Sequence, residues 1–152
     1  NFKNNLNLII VGSGPLTDKV KKIIQTKKLE NVKFLGFVNQ KELPNLYSLS
    51  DIFILPSYYE NWGLVINEAM CNSCAIITSN EVGAAYDLVI HKENGYVFDT
   101  NEDDSISTAI DYCLHQKRFL SMGIKSKNII KSWNYDETIN SLSKIIFDKK
   151  NI

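Results

Sequence analysis

Residues 56–70 read PSYYENWGLVINEAM and hold two carboxylates, Glu60 and Glu68, with seven residues between them. Residues 51–55 (DIFIL), just before this stretch, are a short apolar run rich in strand-forming residues. Residues 63–71 are apolar nearly all round, a pattern typical of a buried helix. The sequence therefore predicts a strand, a loop and a buried helix, with Glu60 in the loop and Glu68 inside the helix.

The predicted position of Glu68 raises the question of what neutralises its charge. None of the residues one helical turn away, at positions 64, 65, 71 and 72, is Lys or Arg, so no local ion pair can form. A buried carboxylate without a partner costs several kcal/mol. A distant Lys, a backbone amide or a water could satisfy it, and so could the hydroxyls of a ligand. Both interpretations stay open at this point.

Glu60 follows the predicted strand at its carboxyl end, which is the edge where ligands bind in open α/β sheets. The same residue could instead be an exposed loop acid, or an acid near a helix start where the helix dipole favours negative charge.

Strands and helices alternate along the first two thirds of the chain. Apolar runs predict strands at residues 6–11, 32–35, 52–55, 75–78 and 95–98, and helical spacing predicts helices at residues 15–28, 40–49, 63–72 and 84–90. Residues 103–114, 119–131 and 135–147 have helical spacing without strands between them. This order predicts an α/β fold, a Rossmann-like parallel sheet with helices on both faces.

The first predicted turn, residues 12–15 (GSGP), resembles the opening of a dinucleotide-binding fold. The full pattern of three glycines is missing because residue 17 is Thr, and no acidic residue ends the next strand. Nicotinamide binding is therefore disfavoured.

Composition limits the partners. The chain has 152 residues with 44% hydrophobic content, enough for one domain, and its 17 basic and 17 acidic residues cancel. This balance argues against nucleic acid and anionic membranes as partners. No signal peptide and no membrane-spanning apolar run is visible in the sequence, so a cytoplasmic location is expected.

Cysteine and histidine give no sign of a metal or redox site. Cys71, Cys74 and Cys113 are predicted to be buried thiols, and the first two lie at the end of a predicted helix, where the helix dipole does not activate a thiol. A zinc site would need further ligands from Cys113, His91, His115 or carboxylates and is disfavoured. Both histidines are expected at the surface.

Several segments together resemble the retaining nucleotide-sugar glycosyltransferases of the GT-B fold, the "group 1" family. The resemblance rests on the spacing of Glu60 and Glu68 with residues 63–65 (GLV) between them, and extends over residues 10–15, 32–38 and 76–98. It implies that residues 1–152 are the nucleotide-sugar-binding domain, the C-terminal half of a GT-B fold. The first β-α unit of that domain and the N-terminal acceptor domain are expected to lie outside this sequence.

The resemblance also implies a role for each site residue. Glu60 is the catalytic residue and lies against the transferred sugar, while Glu68 accepts hydrogen bonds from the ribose hydroxyls. Gly12 lets the backbone approach the donor, and the backbone of Val38 brackets the base. The Trp62 indole stacks beside the donor. The remaining donor-binding residues present their backbone amides to the diphosphate; they are Asn61, Trp62, Gly63, Leu64 and Val65.

The implied activity is transfer of a sugar, with retention, from a UDP- or GDP-sugar to a glycan, lipid or other acceptor. The family needs no metal, because an Arg and a Lys meet the charge of the leaving diphosphate. The resemblance places that pair in the first strand and loop of the domain, which are expected to lie upstream of this sequence, and residues 51–79 contain neither Arg nor Lys. The chain is therefore expected to be inactive alone. Peripheral contact with the inner membrane face is expected only through the full-length protein.

Two other functions remain open. A nucleotide-sugar epimerase of the same fold would want further acid-base residues, and the GLV spacing fits it poorly. A non-catalytic, degenerate α/β interaction module would keep the fold without the chemistry. The sequence leaves the acceptor, the sugar, the base and the oligomeric state undetermined.

Overall fold

The structure is a computed structural model that describes residues 6–148. The chain divides into two compact units, Asn1–Leu43 and Pro44–Ile152, called here the first and second units. The prediction of one nucleotide-sugar-binding domain over residues 1–152 stays a prediction.

The first unit is a single β-α-β crossover. Strand β1 (Leu8–Val11) pairs in parallel with β2 (Val32–Gly36), and helix α1 (Thr17–Thr26) connects them. Helix α1 begins two residues later than predicted, because the Thr17 hydroxyl accepts a hydrogen bond from the Gly14 amide and closes a turn first. The irregular register at the end of β1 leads directly into the glycine-containing turn.

The second unit is built on three parallel strands. Strand β4 (Ala75–Ser79) lies between β3 (Ile52–Leu55) and β5 (Gly95–Phe98), and all five of its residues are buried. Burial on both faces explains why its sequence is an unbroken apolar run ending in small polar residues. The predicted α/β fold, with parallel sheets and helices on both faces, is confirmed.

Six further α-helices are described after α1. They are α2 (Leu43–Ser48), α3 (Leu64–Cys71), α4 (Gly83–Leu88), α5 (Ser105–Leu114), α6 (Arg118–Ile130) and α7 (Tyr135–Asp148), with a short 3₁₀ turn at His115–Lys117. Helix α2 was predicted at residues 40–49 but is shorter, because the Asn39 side chain and carbonyl accept hydrogen bonds from the Lys41 and Glu42 amides and form a turn before it.

One part of the core joins strands β4 and β5 to helices α5 and α6. Its buried members are Ala75, Ile77, Phe98, Ala109, Cys113 and Met122. Helix α6 approaches the turn before β4 so closely that a Cβ on Gly123 would lie 2.0 Å from the Ser73 carbonyl oxygen. A glycine is therefore required at this crossing.

Two predictions about burial need correction. Helix α3 is not buried all round: Ile66 and Met70 are fully buried, but Leu64 is 61% exposed and Glu68 is half-buried. Cys71 was predicted to be a buried thiol and is exposed, because it lies on the open side of the last turn of α3. An apolar composition alone does not show which side of a short helix faces the sheet.

Cys74 and Cys113 are buried as predicted, and both histidines are exposed as predicted. Among residues 6–148, no helix combines the length and apolar content needed to cross a bilayer. Within the same described part of the chain, no cluster of His, Cys, Asp or Glu is placed to hold a metal ion.

Candidate functional site

A sharp turn at Gly63 joins the loop after β3 to the first turn of α3. Gly63 has a φ of +89°, and its carbonyl accepts a hydrogen bond from the Ile66 amide at 2.8 Å. A Cβ at this position would lie 3.1 Å from side-chain carbons of both Leu55 and Val82. Since the position is left-handed and crowded, only glycine fits without strain. The glycine therefore fixes the angle at which the loop enters the helix.

Backbone hydrogen bonds hold Glu60 from both sides. Its amide donates to the Glu81 carbonyl at 3.1 Å, and its carbonyl accepts from the Gly83 amide at 3.0 Å. Earlier in the loop, the Ser79 hydroxyl donates to the Ser57 carbonyl. The loop is thus fastened to the end of β4 and to the start of α4, which leaves the Glu60 side chain as its adjustable part.

Gly83 makes that fastening possible. A Cβ on Gly83 would lie 2.0 Å from the Asn61 carbonyl oxygen, so any larger residue would push the two segments apart. The next amide, of Ala84, donates to the Trp62 carbonyl at 2.8 Å. Hydrogen bonds from the start of α4 therefore fix the backbone conformation of residues 60–62.

The Glu60 carboxylate has no hydrogen-bond or ion-pair partner within residues 6–148, and the residue is half-buried. A fixed backbone with a free, partly accessible carboxylate is suited to contact a ligand. It can accept hydrogen bonds from hydroxyls or stabilise a nearby positive charge.

Within residues 6–148 the Glu68 carboxylate has one partner, which is neither a Lys nor a backbone amide. The Tyr47 hydroxyl donates to Glu68 Oε2 at 3.0 Å. Tyr47 lies in α2, is 7% exposed, and packs its ring edge-on against Phe53 of β3. Burial, followed by the hydrogen bond to Glu68, raises the pKa of Tyr47 well above its usual value of 10.0.

Sequence reasoning missed Tyr47. The residue lies 21 positions before Glu68 in a different helix, and no spacing rule connects the two. The only signal available was a large aromatic residue with a polar end inside a predicted helix.

Trp62 is held by two contacts beside the loop. Its indole N–H donates to Asn67 Oδ1 at 3.0 Å, and its ring lies 5.6 Å from the Trp133 ring, between α6 and α7. These contacts fix the orientation of the indole. The expected stacking of Trp62 beside a donor stays a prediction.

The first amides of α3 remain available at this end of the site. The N–H groups of Leu64 and Val65 belong to the first turn of the helix, which has no intrahelical acceptors for them. Together with the helix dipole, such amides form a suitable site for a phosphate or another anion. The second unit therefore brings Glu60, the predicted amides at positions 61–65 and Glu68 into one loop-helix segment.

Gly12 and Val38 belong to the first unit. Gly12 has a φ of +117°, and its amide donates to the Gly36 carbonyl at 2.7 Å. Within the described residues of the first unit, apart from its chain neighbours, nothing lies within 4 Å of the position a Cβ would take. Val38 is half-buried two residues after β2. Their roles in donor binding stay predictions.

The chain is similar to known proteins over most of its length. A family model described as "Glycosyl transferases group 1" matches residues 1–132. An uncharacterized glycosyltransferase of Methanocaldococcus jannaschii is 31% identical over 145 residues, covering 91% of this chain and 37% of that protein. A GDP-mannose-dependent phosphatidylinositol monomannoside mannosyltransferase of Mycobacterium tuberculosis is 28% identical over 85% of this chain and 36% of its own length.

A solved structure agrees with these matches. The Anabaena protein HepE, crystallised with UDP, has a TM-score of 0.72 and 26% identity over 91% of this chain and 41% of that one. The neighbouring solved structures are GT-B proteins, which agrees with a Rossmann-like C-terminal half of that fold. The present chain spans little more than a third of the length of the curated relatives described here.

Proposed function

This chain belongs to the group 1 glycosyltransferases, and we propose that it forms the donor site of an enzyme that transfers a sugar from a UDP- or GDP-sugar to an acceptor, with retention of anomeric configuration. The observation that carries the proposal is the loop-helix segment of residues 60–68. It contains, in this order, a carboxylate on a fixed backbone with no side-chain partner within residues 6–148, a helix N-terminus and a second carboxylate.

The ribose, the diphosphate and the sugar of a nucleotide sugar each find a matching group in this segment. Glu68 accepts hydrogen bonds from the two ribose hydroxyls, since a carboxylate has about four acceptor sites and Tyr47 uses one of them. The amides of residues 61–65 bind the diphosphate at the positive end of the α3 dipole. The resemblance to the family assigns Val38 to the base and Gly12 to the approach of the donor to the backbone, and both roles are proposals for the first unit by itself.

Glu60 acts on the transferred sugar. Its carboxylate accepts hydrogen bonds from the sugar hydroxyls and stabilises the positive charge that develops at the anomeric carbon when the bond to phosphate breaks. Retention follows from attack on the face from which the diphosphate leaves, with the departing phosphate taking the acceptor's proton. Glu60 then lines the site and stabilises the developing charge, and it does not act as a nucleophile.

The leaving diphosphate needs positive charge that residues 51–79 do not supply, because they contain no Lys or Arg. By resemblance to the family, an Arg and a Lys from elsewhere in the protein provide it, without a metal ion. We therefore expect these 152 residues to bind the donor weakly and to transfer no sugar alone. The acceptor, a glycan, a lipid or another molecule, is expected to contact the rest of the protein.

A nucleotide titration tests the proposal. The full-length protein is titrated with UDP and with GDP while tryptophan fluorescence is followed. Comparison of Trp62→Phe with Trp133→Phe identifies the part of the signal that comes from Trp62, whose ring lies beside Trp133. We expect saturable binding of one nucleotide and at least about tenfold weaker binding in Glu68→Ala, from the loss of hydrogen bonds to a charged acceptor. Unchanged affinity in Glu68→Ala, or no saturable binding of either nucleotide, contradicts the proposal.

The choice between UDP and GDP is left to that experiment. The mycobacterial relative is named for GDP-mannose, whereas the Anabaena structure holds UDP. Binding of neither nucleotide by an otherwise folded protein would favour the non-catalytic interaction module.

A further inference from the structure

Building on the proposed donor site, we propose that Tyr47 is a positioning residue for the nucleotide: its hydroxyl holds the Glu68 carboxylate in the orientation that binds the ribose hydroxyls. The inference starts from the hydrogen bond between Tyr47 Oη and Glu68 Oε2 at 3.0 Å. Within residues 6–148 this is the only hydrogen bond made by the Glu68 carboxylate, so it is the one polar contact there that favours the observed orientation.

Tyr47 is itself held at both ends. Its ring lies edge-on to Phe53 of β3, with the centroids 5.7 Å apart and the planes at 77°. Its main-chain carbonyl accepts a weak hydrogen bond from the buried Cys74 thiol at 3.4 Å. With ring and backbone both packed against the sheet, the hydroxyl has little freedom to leave its position.

Glu68 keeps enough acceptor capacity for a ligand. A carboxylate offers about four acceptor positions, of which Tyr47 occupies one. The residue is only half-buried, so the remaining positions can be reached from outside. A carboxylate that is already oriented loses less conformational freedom when the ribose binds, and this increases affinity.

The competing explanation is that Tyr47 is simply a core residue whose polar end needs a partner. Its 7% exposure agrees with both explanations. They differ in what removal of the hydroxyl does to ligand binding. A core role changes stability and affects all ligands alike, whereas a positioning role affects only ligands with ribose hydroxyls.

The test uses Tyr47→Phe in the full-length protein, since phenylalanine keeps the ring and its packing on Phe53. The probes are UDP or GDP, whichever binds the unmodified protein more tightly, and the 2′,3′-dideoxy form of the same nucleotide. We expect about tenfold weaker binding of the ribose nucleotide and less than about twofold change for the dideoxy nucleotide. In a Glu68→Ala background, Tyr47→Phe is expected to cause no further loss.

Tyr112→Phe is the matched control. Tyr112 lies in α5, where its ring contacts Tyr96 and Arg118, and it takes no part in the proposed site. The affinity of the Tyr112→Phe protein for both probes is expected to equal that of the unmodified protein.

The outcomes separate the two proposals. If Glu68→Ala loses the ribose nucleotide but Tyr47→Phe binds it normally, the donor site stands and the positioning role is overturned. Equal losses for ribose and dideoxy nucleotides in Tyr47→Phe also overturn it, in favour of a core role. If the unmodified protein binds no nucleotide, or Glu68→Ala binds as tightly as the unmodified protein, the donor site itself falls and the role of Tyr47 falls with it.

Discussion

At the residue scale, the two glutamates of the motif differ in how the protein holds them. Glu60 is held only through its backbone, by bonds to Glu81 and Gly83, and its carboxylate is free within the described residues. Glu68 is held through its carboxylate, by Tyr47. The first arrangement suits a group that responds to a changing charge, and the second suits a fixed binding contact.

This difference predicts a split between chemistry and binding in Glu60→Gln. Glutamine has nearly the same shape, and the backbone bonds of position 60 do not depend on the side chain. We therefore expect the affinity for nucleotide to change less than about twofold. Release of nucleoside diphosphate from the nucleotide sugar by the full-length protein is expected to fall by about a hundredfold or more, from loss of charge stabilisation.

Glu93→Gln is the control for that change. Glu93 forms an exposed ion pair with Lys125 at 3.4 Å, which contributes little to stability or to the proposed site. A Glu60→Gln enzyme as fast as Glu93→Gln would show that the charge of Glu60 is not used in the reaction.

Sequence patterns predicted the bounds of the strands well. They predicted less well where a helix begins and which side of it faces the sheet. Strands β3 and β5 have the bounds predicted, because each is a short apolar run closed by turn-forming residues. The predicted start of α2 was wrong because the Asn39 side chain forms a turn with the following backbone, and this turn competes with the helix. The exposure of Cys71 was missed because only tertiary packing decides which side of α3 faces the sheet.

The site shows the same division. Glu60, Glu68 and the α3 amides form one local segment, so their spacing in the sequence was enough to group them. The contact between Tyr47 and Glu68 joins two helices through a third element, β3, and depends on how the three pack. A pairing of that kind cannot be read from one sequence.

The crossing of α6 over the turn before β4 gives a prediction with an unusual sign. An alanine within a helix is normally more favourable than glycine by about 1 kcal/mol. In Gly123→Ala the new Cβ would meet the Ser73 carbonyl oxygen at 2.0 Å, so the helix must move away from the turn. We expect the free energy of unfolding, measured by urea denaturation, to fall by about 1–3 kcal/mol.

Gly14→Ala provides the comparison. Apart from its chain neighbours, no heavy atom of residues 6–148 lies within 4 Å of the position its Cβ would take, and the Gly14 amide can still donate to Thr17. The stability of this variant is expected to change by less than about 0.5 kcal/mol. Equal stability of the two variants would mean that α6 does not press on the turn as closely as the structure shows.

At the scale of the whole molecule, buried neutral groups of high pKa limit stability in alkali. Burial raises the pKa of the Cys74 thiol to about 11, assisted by the charge of Asp51, and burial raises that of the Cys113 thiol to about 11 as well. The pKa of Tyr47 is raised by burial and by its bond to Glu68. All three groups are therefore held protonated in the folded state above the pH at which the unfolded chain would release the proton.

The sign of the pH dependence follows from these shifts. A group whose pKa is higher in the folded state contributes stability that is fully present below its unfolded pKa, 9.0 for a thiol, and is lost as the pH rises through its folded pKa. Urea midpoints are therefore expected to fall steadily between about pH 9 and pH 11.

In Cys113→Ala the midpoint at neutral pH should be lower because a core side chain is shortened, but its fall with pH should be shallower. Cys71→Ala, which removes the exposed thiol, should keep the original slope; equal slopes in the two variants would show that the buried thiol does not contribute to the loss of stability in alkali.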